Sequence, residues 1–291
     1  MLIELTEKLG RRWLNNRGIQ SRWAQTSGGR IHFFDAPGHG ELPPVVLFHG
    51  ISTTATSFGF LMEALRRDFS RVLAFDTPGH GLSEVPRFAT LDTLYEHLTQ
   101  ALKPELGTGA AVIFGNSLGG AFAVKWALEH PGLTRGLILV SPAGAPMSPS
   151  EMANFFKIFP RHSPAQAREF LRRLYHRAPW YTPLIAPGVH RLFARPLITD
   201  ILESAKPDRH FTPEELGSFT MPVMLIWGRS DRVMPPNHAG YFKRHLPEGS
   251  VIEEPEGFGH CPHLDNPLRL ARLITIFARE RALNATQGNR S

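Results

Sequence analysis

Short, solidly apolar runs alternate along this chain with stretches of helical periodicity. Val45-Val46-Leu47-Phe48 follows Pro43-Pro44 and ends at His49-Gly50, residues 71–75, 110–114, 136–140 and 223–227 are further such segments, and residues 251–254 are expected to add a last strand. An apolar run of four to seven residues without polar alternation suits a strand buried on both faces, as in a parallel sheet sandwiched by helices. Between these runs, residues 57–69, 91–102, 118–129, 238–245 and 267–283 space their apolar residues for helices. Strand–helix alternation of this type is the signature of βαβ units. Ahead of it, residues 19–25 and 30–35 alternate polar and apolar side chains around Gly28-Gly29, which predicts an exposed antiparallel hairpin. The expected fold is therefore α/β, a mostly parallel sheet of about eight strands flanked by helices.

The rhythm stops at Ser141-Pro-Ala-Gly-Ala-Pro146. From there to about Pro213 there are helical segments interrupted at Pro160, Pro164, Pro179, Pro183, Pro187 and Pro196, and no buried strand. This predicts one helical insertion, a cap over residues 147–212, set into a core formed by residues 1–146 and 213–291.

Composition narrows the class. The 291 residues carry 32 Lys and Arg against 26 Asp and Glu, a net charge of +6, and 42% are apolar, which excludes a disordered or collagen-like chain. The single Cys261 excludes an internal disulfide framework and a cysteine-based zinc cluster, and suits a reducing compartment. The start, MLIELTEKLGRRWLNN, lacks the pattern of a secretory signal, and no stretch approaches the roughly 20 apolar residues that span a bilayer. A cytoplasmic protein is expected. Leu2, Leu5, Leu9 and Trp13 recur at helical spacing, so a short amphipathic helix is expected to dock on the protein's own body, with a membrane-surface foot as the alternative. The polar end, NATQGNRS, is expected to fray.

The chemistry centres on Phe114-Gly115-Asn116-Ser117-Leu118-Gly119-Gly120, at the junction of a buried strand and a helix. A sharp strand-to-helix turn needs small flanking residues, and Gly115 and Gly119 supply them. The turn lifts Ser117 Oγ to the carboxyl edge of the sheet, beside the free N–H groups of a helix start. A serine hydroxyl becomes a nucleophile only with a base, and the base needs an orienting carboxylate. Asp231, in Trp227-Gly-Arg-Ser-Asp-Arg-Val-Met-Pro235, and His260, in Gly257-Phe-Gly-His-Cys-Pro262, follow in the order Ser…Asp…His, each in a loop after a strand.

His263 competes with His260 as the base, but its place at the next helix favours capping or packing. Cys261 as nucleophile would leave the serine turn without a purpose. Asp265 is expected to cap or anchor the last helix. The N–H groups of Leu118 and Ile51 are the expected oxyanion donors, with Ser52 the fallback for Ile51, while His49 is expected to brace that loop. Such a site calls for no metal and no organic cofactor.

With Leu47-Phe48-His49-Gly50, Asp76-Thr-Pro-Gly-His-Gly-Leu-Ser83, the serine turn, Gly228-Arg-Ser-Asp231 and Gly259-His260 followed by Asp265 and Pro267, the chain resembles the α/β-hydrolase fold superfamily from about residue 30 to residue 277. The resemblance implies the triad Ser117, Asp231 and His260 and a cap placed after the sixth core strand. It implies a carboxylic-ester hydrolase of the esterase or monoacylglycerol-lipase type, acting on a hydrophobic ester. The dehalogenases and epoxide hydrolases of this fold use an aspartate where Ser117 stands. The carbon–carbon hydrolases of ring-cleavage products share Gly-Asn-Ser-x-Gly-Gly, but they usually carry a glycine-rich loop after His-Gly and often a Trp where Cys261 stands. Asp265 also departs from the Glu usual there. Thioesterase, perhydrolase and amidase chemistry, and a non-catalytic small-molecule receptor, are further alternatives.

The positive charge concentrates in the insertion: Lys157, Arg161, Arg168, Arg172, Arg173, Arg177, Arg191 and Arg195 face only Glu169 between residues 157 and 195. A solvated basic face explains this. Peripheral contact with an anionic membrane, or one inward Arg recognising a substrate anion, are the sharper readings. No nucleic-acid-reading module is present in the sequence, so nucleic acid is not an expected partner.

Overall fold

The computed structural model describes residues 2–283, and the polar end expected to fray lies outside them. Helix α1 (Leu2–Asn15) leads into strands β1 (Gln20–Thr26) and β2 (Gly29–Pro37). Strand β3 (Val45–Phe48), helix α2 (Gly59–Leu65), β4 (Arg71–Phe75), α3 (Leu91–Leu106), β5 (Ala111–Asn116), α4 (Leu118–Glu129) and β6 (Thr134–Val140) follow in alternation. Helices α5 (Pro149–Phe156), α6 (Pro164–Leu174), α7 (Thr182–Phe193), α8 (Pro196–Ser204) and α9 (Pro213–Gly217) come next. The alternation then resumes with β7 (Val223–Ile226), α10 (Pro236–His245), β8 (Val251–Glu253), α11 (Pro262–Asp265) and α12 (Pro267–Phe277).

The eight strands form one sheet in the order β1-β2-β4-β3-β5-β6-β7-β8. From β4 to β8 all neighbours are parallel, and β1 and β2 run antiparallel at one side. Successive side chains along a strand face opposite sides of a sheet. Phe33, Val46, Phe48 and Ile113 thus join one buried core with Leu94, Leu98 and Trp126, and Phe34, Val45, Leu47 and Phe114 join a second with Phe58, Leu61, Ile274 and Phe277. Burial on both faces is why these strands read as unbroken apolar runs.

The chain leaves β3 toward β4 on one side and returns in β5 on the other, so the direction of winding switches at β3. Crevices at the carboxyl ends of strands beside such a switch are where open α/β sheets bind ligands. The loops after β3 and β5 carry Ile51 and Ser117.

Four local expectations are corrected. The first hairpin is not exposed: β2 is buried from Ile31 to Ala36 because β4 pairs along its other edge, and β1 alone is left at the rim. The helix expected over 57–69 is a 3₁₀ turn (Ala55–Phe58) followed by α2, and it stops early because the next residues pair with the β3 approach. Leu42 N–H donates to Asp68 O at 3.0 Å, and Ser70 N–H donates to Leu42 O at 2.8 Å. Pro187 does not interrupt its segment but sits inside α7, whereas Pro164, Pro183 and Pro196 occupy first turns, where their missing N–H is harmless.

The fourth correction concerns α1. It docks on the body with Ile3, Glu7, Gly10 and Leu14, not with its leucine stripe. Gly10 sits so close to Thr56 that a Cβ there would lie 2.6 Å from Thr56 Cγ2, and Thr54 Oγ1 donates to Glu7 Oε1 at 2.9 Å. This close contact sets the rotation of the helix and leaves Leu2, Leu5 and Leu9 39%, 51% and 54% exposed.

Candidate active site

Ser117 stands between β5 and α4 with φ 59° and ψ −118°, a conformation that a non-glycine residue adopts only under local constraint. The constraint is backbone pairing: Ser117 N–H donates to Val140 O at 3.0 Å, and Ser117 O accepts from Gly120, Ala121 and Ala143. Side chains on the flanking glycines would break the turn. A Cβ on Gly115 would run into the Gly119 carbonyl, and one on Gly119 into the Phe48 carbonyl.

His260 lies between β8 and α11, and its Nδ1–H donates to Asp231 Oδ2 at 2.9 Å. Asp231 Oδ1 accepts from Val233 N–H at 2.8 Å and Met234 N–H at 3.2 Å, so the loop after β7 fixes the carboxylate. The two side chains are 4% and 1% exposed, too buried for water to compete. Burial pushes the Asp231 carboxyl up, but the facing His260 imidazole and the Val233 N–H more than offset this and hold it below its ordinary value. Ser117 Oγ makes no hydrogen bond to His260 within the described residues. In substrate-free sites such contacts are often long and close only when substrate is bound.

Asn116 is the tie between the two halves of the site. Its Nδ2 donates to His260 O at 2.9 Å and to Val140 O at 3.1 Å, and its Oδ1 accepts from Cys261 Sγ at 3.4 Å. The sequence reading missed this residue, although an amide directly before the nucleophile and a lone thiol directly after the base were both in view. Cys261 thus has a structural place. It is buried, its thiol is pushed well above the ordinary range by burial and then by the carboxylates of Asp231 and Asp265, and a protonated thiol is no nucleophile.

The competitors separate cleanly. The His263 ring packs 4.6 Å from Phe58, and burial, followed by the charges of His260 and His49, lowers it to about 3, so it is a neutral core residue. His49 Nε2 accepts from Thr77 N–H at 3.0 Å, which leaves Nδ1–H to donate to Gly50 O at 2.7 Å, a brace for the loop after β3. Asp265 does not cap the last helix. Asn266 does so, accepting from Arg269 N–H at 3.0 Å, because it is the residue directly preceding α12. Asp265 instead accepts from Gly259 N–H at 2.7 Å and His176 N–H at 2.9 Å, clamping the His260 loop to the chain after α6.

A cavity of about 660 Å³ opens beside Ser117. Ile51, Leu118, Ala121 and Ala143 line it together with Met152, Phe155, Phe156 and Phe159 from α5 and the turn after it, and Ile201 and Leu202 from α8. The backbone N–H groups of Ile51 and Leu118 have no intramolecular acceptor among the described residues, and Ser52 is not part of the lining. The charged lining residues Asp92, Lys125 and Arg209 are more than one-third exposed and pair with one another, Lys125 Nζ lying 3.4 Å from Asp92 Oδ1. Among the described residues no group of three or more His, Cys, Asp and Glu could hold a metal ion, and no helix is long and apolar enough to cross a membrane.

Comparisons with known proteins agree with this architecture. The family model described as "Alpha/beta hydrolase family" matches residues 45–273. The sn-1-specific diacylglycerol lipase ABHD11 of Mus musculus is 27% identical over 257 residues, covering 82% of this chain and 82% of that protein. A solved structure of a membrane phospholipase A, a bacterial virulence factor, superposes with a TM-score of 0.79 at 22% identity, covering 96% of this chain and 92% of that one. The 2-hydroxy-6-oxo-6-phenylhexa-2,4-dienoate hydrolase of a Rhodococcus strain gives a TM-score of 0.77 at 23% identity, over 90% of this chain and 99% of that one. With most of its length matched by one family model and its strands in this order, the chain belongs to the alpha/beta hydrolase family.

Proposed function

We propose that this protein is a serine hydrolase that cleaves a carboxylic ester with a hydrophobic acyl or alcohol part through an acyl-enzyme. The observation that carries the reading is the buried His260–Asp231 hydrogen bond at 2.9 Å on the same sheet edge as the strained Ser117, beside an apolar cavity of about 660 Å³. With Nδ1–H committed to Asp231, Nε2 of His260 is the free base nitrogen. It takes the Ser117 proton as Oγ bonds to the ester carbonyl carbon. The carbonyl π electrons move to oxygen, and the N–H groups of Ile51 and Leu118 receive that charge. The C–O bond to the alcohol breaks as His260 returns the proton to the leaving oxygen. Water, deprotonated by the same nitrogen, then attacks the acyl carbon and releases the acid and Ser117.

In this reading residues 147–212 act as the cap, and α5 and α8 supply the apolar wall for the substrate. Resemblance to the mouse sn-1-specific diacylglycerol lipase supports a lipid-like ester. The carbon–carbon hydrolase reading draws on the likeness to the dienoate hydrolase and on Gly115-Asn-Ser-Leu-Gly-Gly120. The substrate named there carries a carboxylate, whereas the lining next to Ser117 is Ile51, Leu118, Ala121 and Ala143, with the cations Lys125 and Arg209 out at the exposed part. This favours the ester.

The test is a panel of p-nitrophenyl and monoacylglycerol esters of increasing chain length, with Ser117→Ala as the blank. Turnover with a chain-length optimum, abolished in the variant, is expected. Equal rates for wild type and variant would overturn the proposal, as would turnover of a ring-cleavage dienoate without any ester cleavage.

A further inference from the structure

The rotation of α1 turns one apolar stripe outward. At about 100° per residue, Leu2, Leu5, Leu9 and Trp13 fall within roughly an 80° arc, next to the inward face but separate from it. The stripe continues onto the body: the Trp13 ring meets Phe60 edge-on at 5.0 Å, Phe60 is 66% exposed, and Leu9, Trp13 and Phe60 wall a depression of about 290 Å³. Helix α7 lies against α1, with Ile3 seated on Gly188. One turn before that glycine Leu184 is exposed, and just ahead of it stand Tyr181 and Trp180, the latter 85% exposed.

Cations border the stripe. Lys8 and Arg12 are exposed on its polar flank, neither ion-paired among the described residues, and the Arg17 guanidinium lies 4.0 Å over the Trp13 ring. Of the two acids on the helix, Glu7 points inward to Thr54.

We propose that the outer face of α1, continued by Phe60 and by the start of α7, is a docking surface for an anionic lipid bilayer. The occupant follows from the chemistry of the face. Hydrocarbon receives the leucines and Phe60, Trp and Tyr side chains favour the interfacial layer, and lipid phosphates pair with Lys8 and Arg12. A second copy of this chain would bring the same cations against each other. Residues 284–291, Asn-Ala-Thr-Gln-Gly-Asn-Arg-Ser, hold no large apolar side chain with which to cover the stripe. None of the face residues has a part in the proposed ester chemistry, so the two proposals stand or fall separately.

The test is co-sedimentation with vesicles of phosphatidylcholine and phosphatidylglycerol at 3:1, and of phosphatidylcholine alone, at low and high salt. Wild type is expected to sediment with the anionic vesicles at least tenfold more tightly than with the neutral ones, and less so in high salt. Leu5→Ser/Leu9→Ser is expected to lose at least tenfold in affinity. Lys8→Glu/Arg12→Glu is expected to lose the preference for anionic lipid, and both variants should cleave a soluble short-chain ester at the wild-type rate. Wild type remaining in the supernatant with anionic vesicles would overturn the proposal, and so would a leucine variant that binds like wild type. Sedimentation velocity distinguishes the rival occupant: a concentration-dependent dimer, abolished by Leu5→Ser/Leu9→Ser without vesicle binding, would assign the face to a second copy and overturn the lipid.

Discussion

The carboxamide of Asn116 holds the backbone carbonyl of His260 at 2.9 Å, linking the residue before the nucleophile to the residue proposed as its base across 144 positions of sequence. The same side chain reaches Val140 O and accepts from the Cys261 thiol, and it is fully buried. Replacing it with Leu removes both donors and leaves the buried His260 carbonyl unpaired, whereas Val140 O keeps the Ser117 N–H. A displacement of about 1 Å between catalytic groups lowers turnover about 10²-fold. Asn116→Leu is therefore expected to lower kcat on a short ester by about 10²-fold with KM nearly unchanged. Steady-state kinetics check this, and a loss carried by KM alone would contradict it.

Ser117 pairs function with strain. A non-glycine residue in so sparse a region of φ/ψ space costs about 1–3 kcal/mol, of which glycine relieves most while adding about 0.5–1 kcal/mol of chain entropy. Ser117→Gly is expected to raise Tm by roughly 2–4 °C while abolishing turnover, and Ser117→Ala to abolish turnover with little change in Tm. Thermal unfolding of both variants measures this, and a lower Tm for the glycine variant would show the turn to be unstrained.

Glu7 carries a pH dependence into α1. Burial raises its carboxyl above the ordinary value of 4.5, and the hydroxyls that donate to it do not offset this. The folded state therefore favours the protonated acid. The stabilising contribution is fully present below the unfolded pKa and is lost as pH rises through the folded one. Glu7→Gln keeps an acceptor for Thr54 and removes the charge. The Tm difference between Glu7→Gln and wild type should grow in favour of the variant between pH 4 and pH 7, and a difference independent of pH would contradict the account.

Ala121 lies one turn into α4 from Ser117 and lines the cavity. Leu at this position fills about three methylene equivalents of space beside the reacting carbon. Ala121→Leu is expected to shorten the preferred ester by about three carbons and to lower kcat/KM for longer chains about tenfold or more. An unchanged chain-length profile would place the acyl group elsewhere.

Much of this was legible because period and burial act locally. The unbroken runs of β3, β5 and β7 announce strands buried on both faces, and the Gly115–Ser117–Gly119 spacing announces a turn that tolerates no side chains at its flanks. The order of Ser117, Asp231 and His260 marks one sheet edge because each follows a strand in a parallel sheet. What escaped depends on contacts remote in sequence. Burial of β2 is decided by its pairing with β4, and the direction of α1 by Gly10 against Thr56. Asp265 looked like a helix cap from its position, but the backbone of Gly259 and His176 reaches it first. The tie from Asn116 to His260 spans 144 of the 291 positions, and no local pattern encodes it.

The central claim is that Ser117 is an activated nucleophile. Incubation with a fluorophosphonate ester, followed by peptide mass spectrometry, tests it most directly. The account predicts one covalent adduct per chain, mapped to Ser117, formed far more slowly in His260→Ala and absent in Ser117→Ala. An unlabelled wild type, or an adduct on another residue that persists in Ser117→Ala, would contradict it.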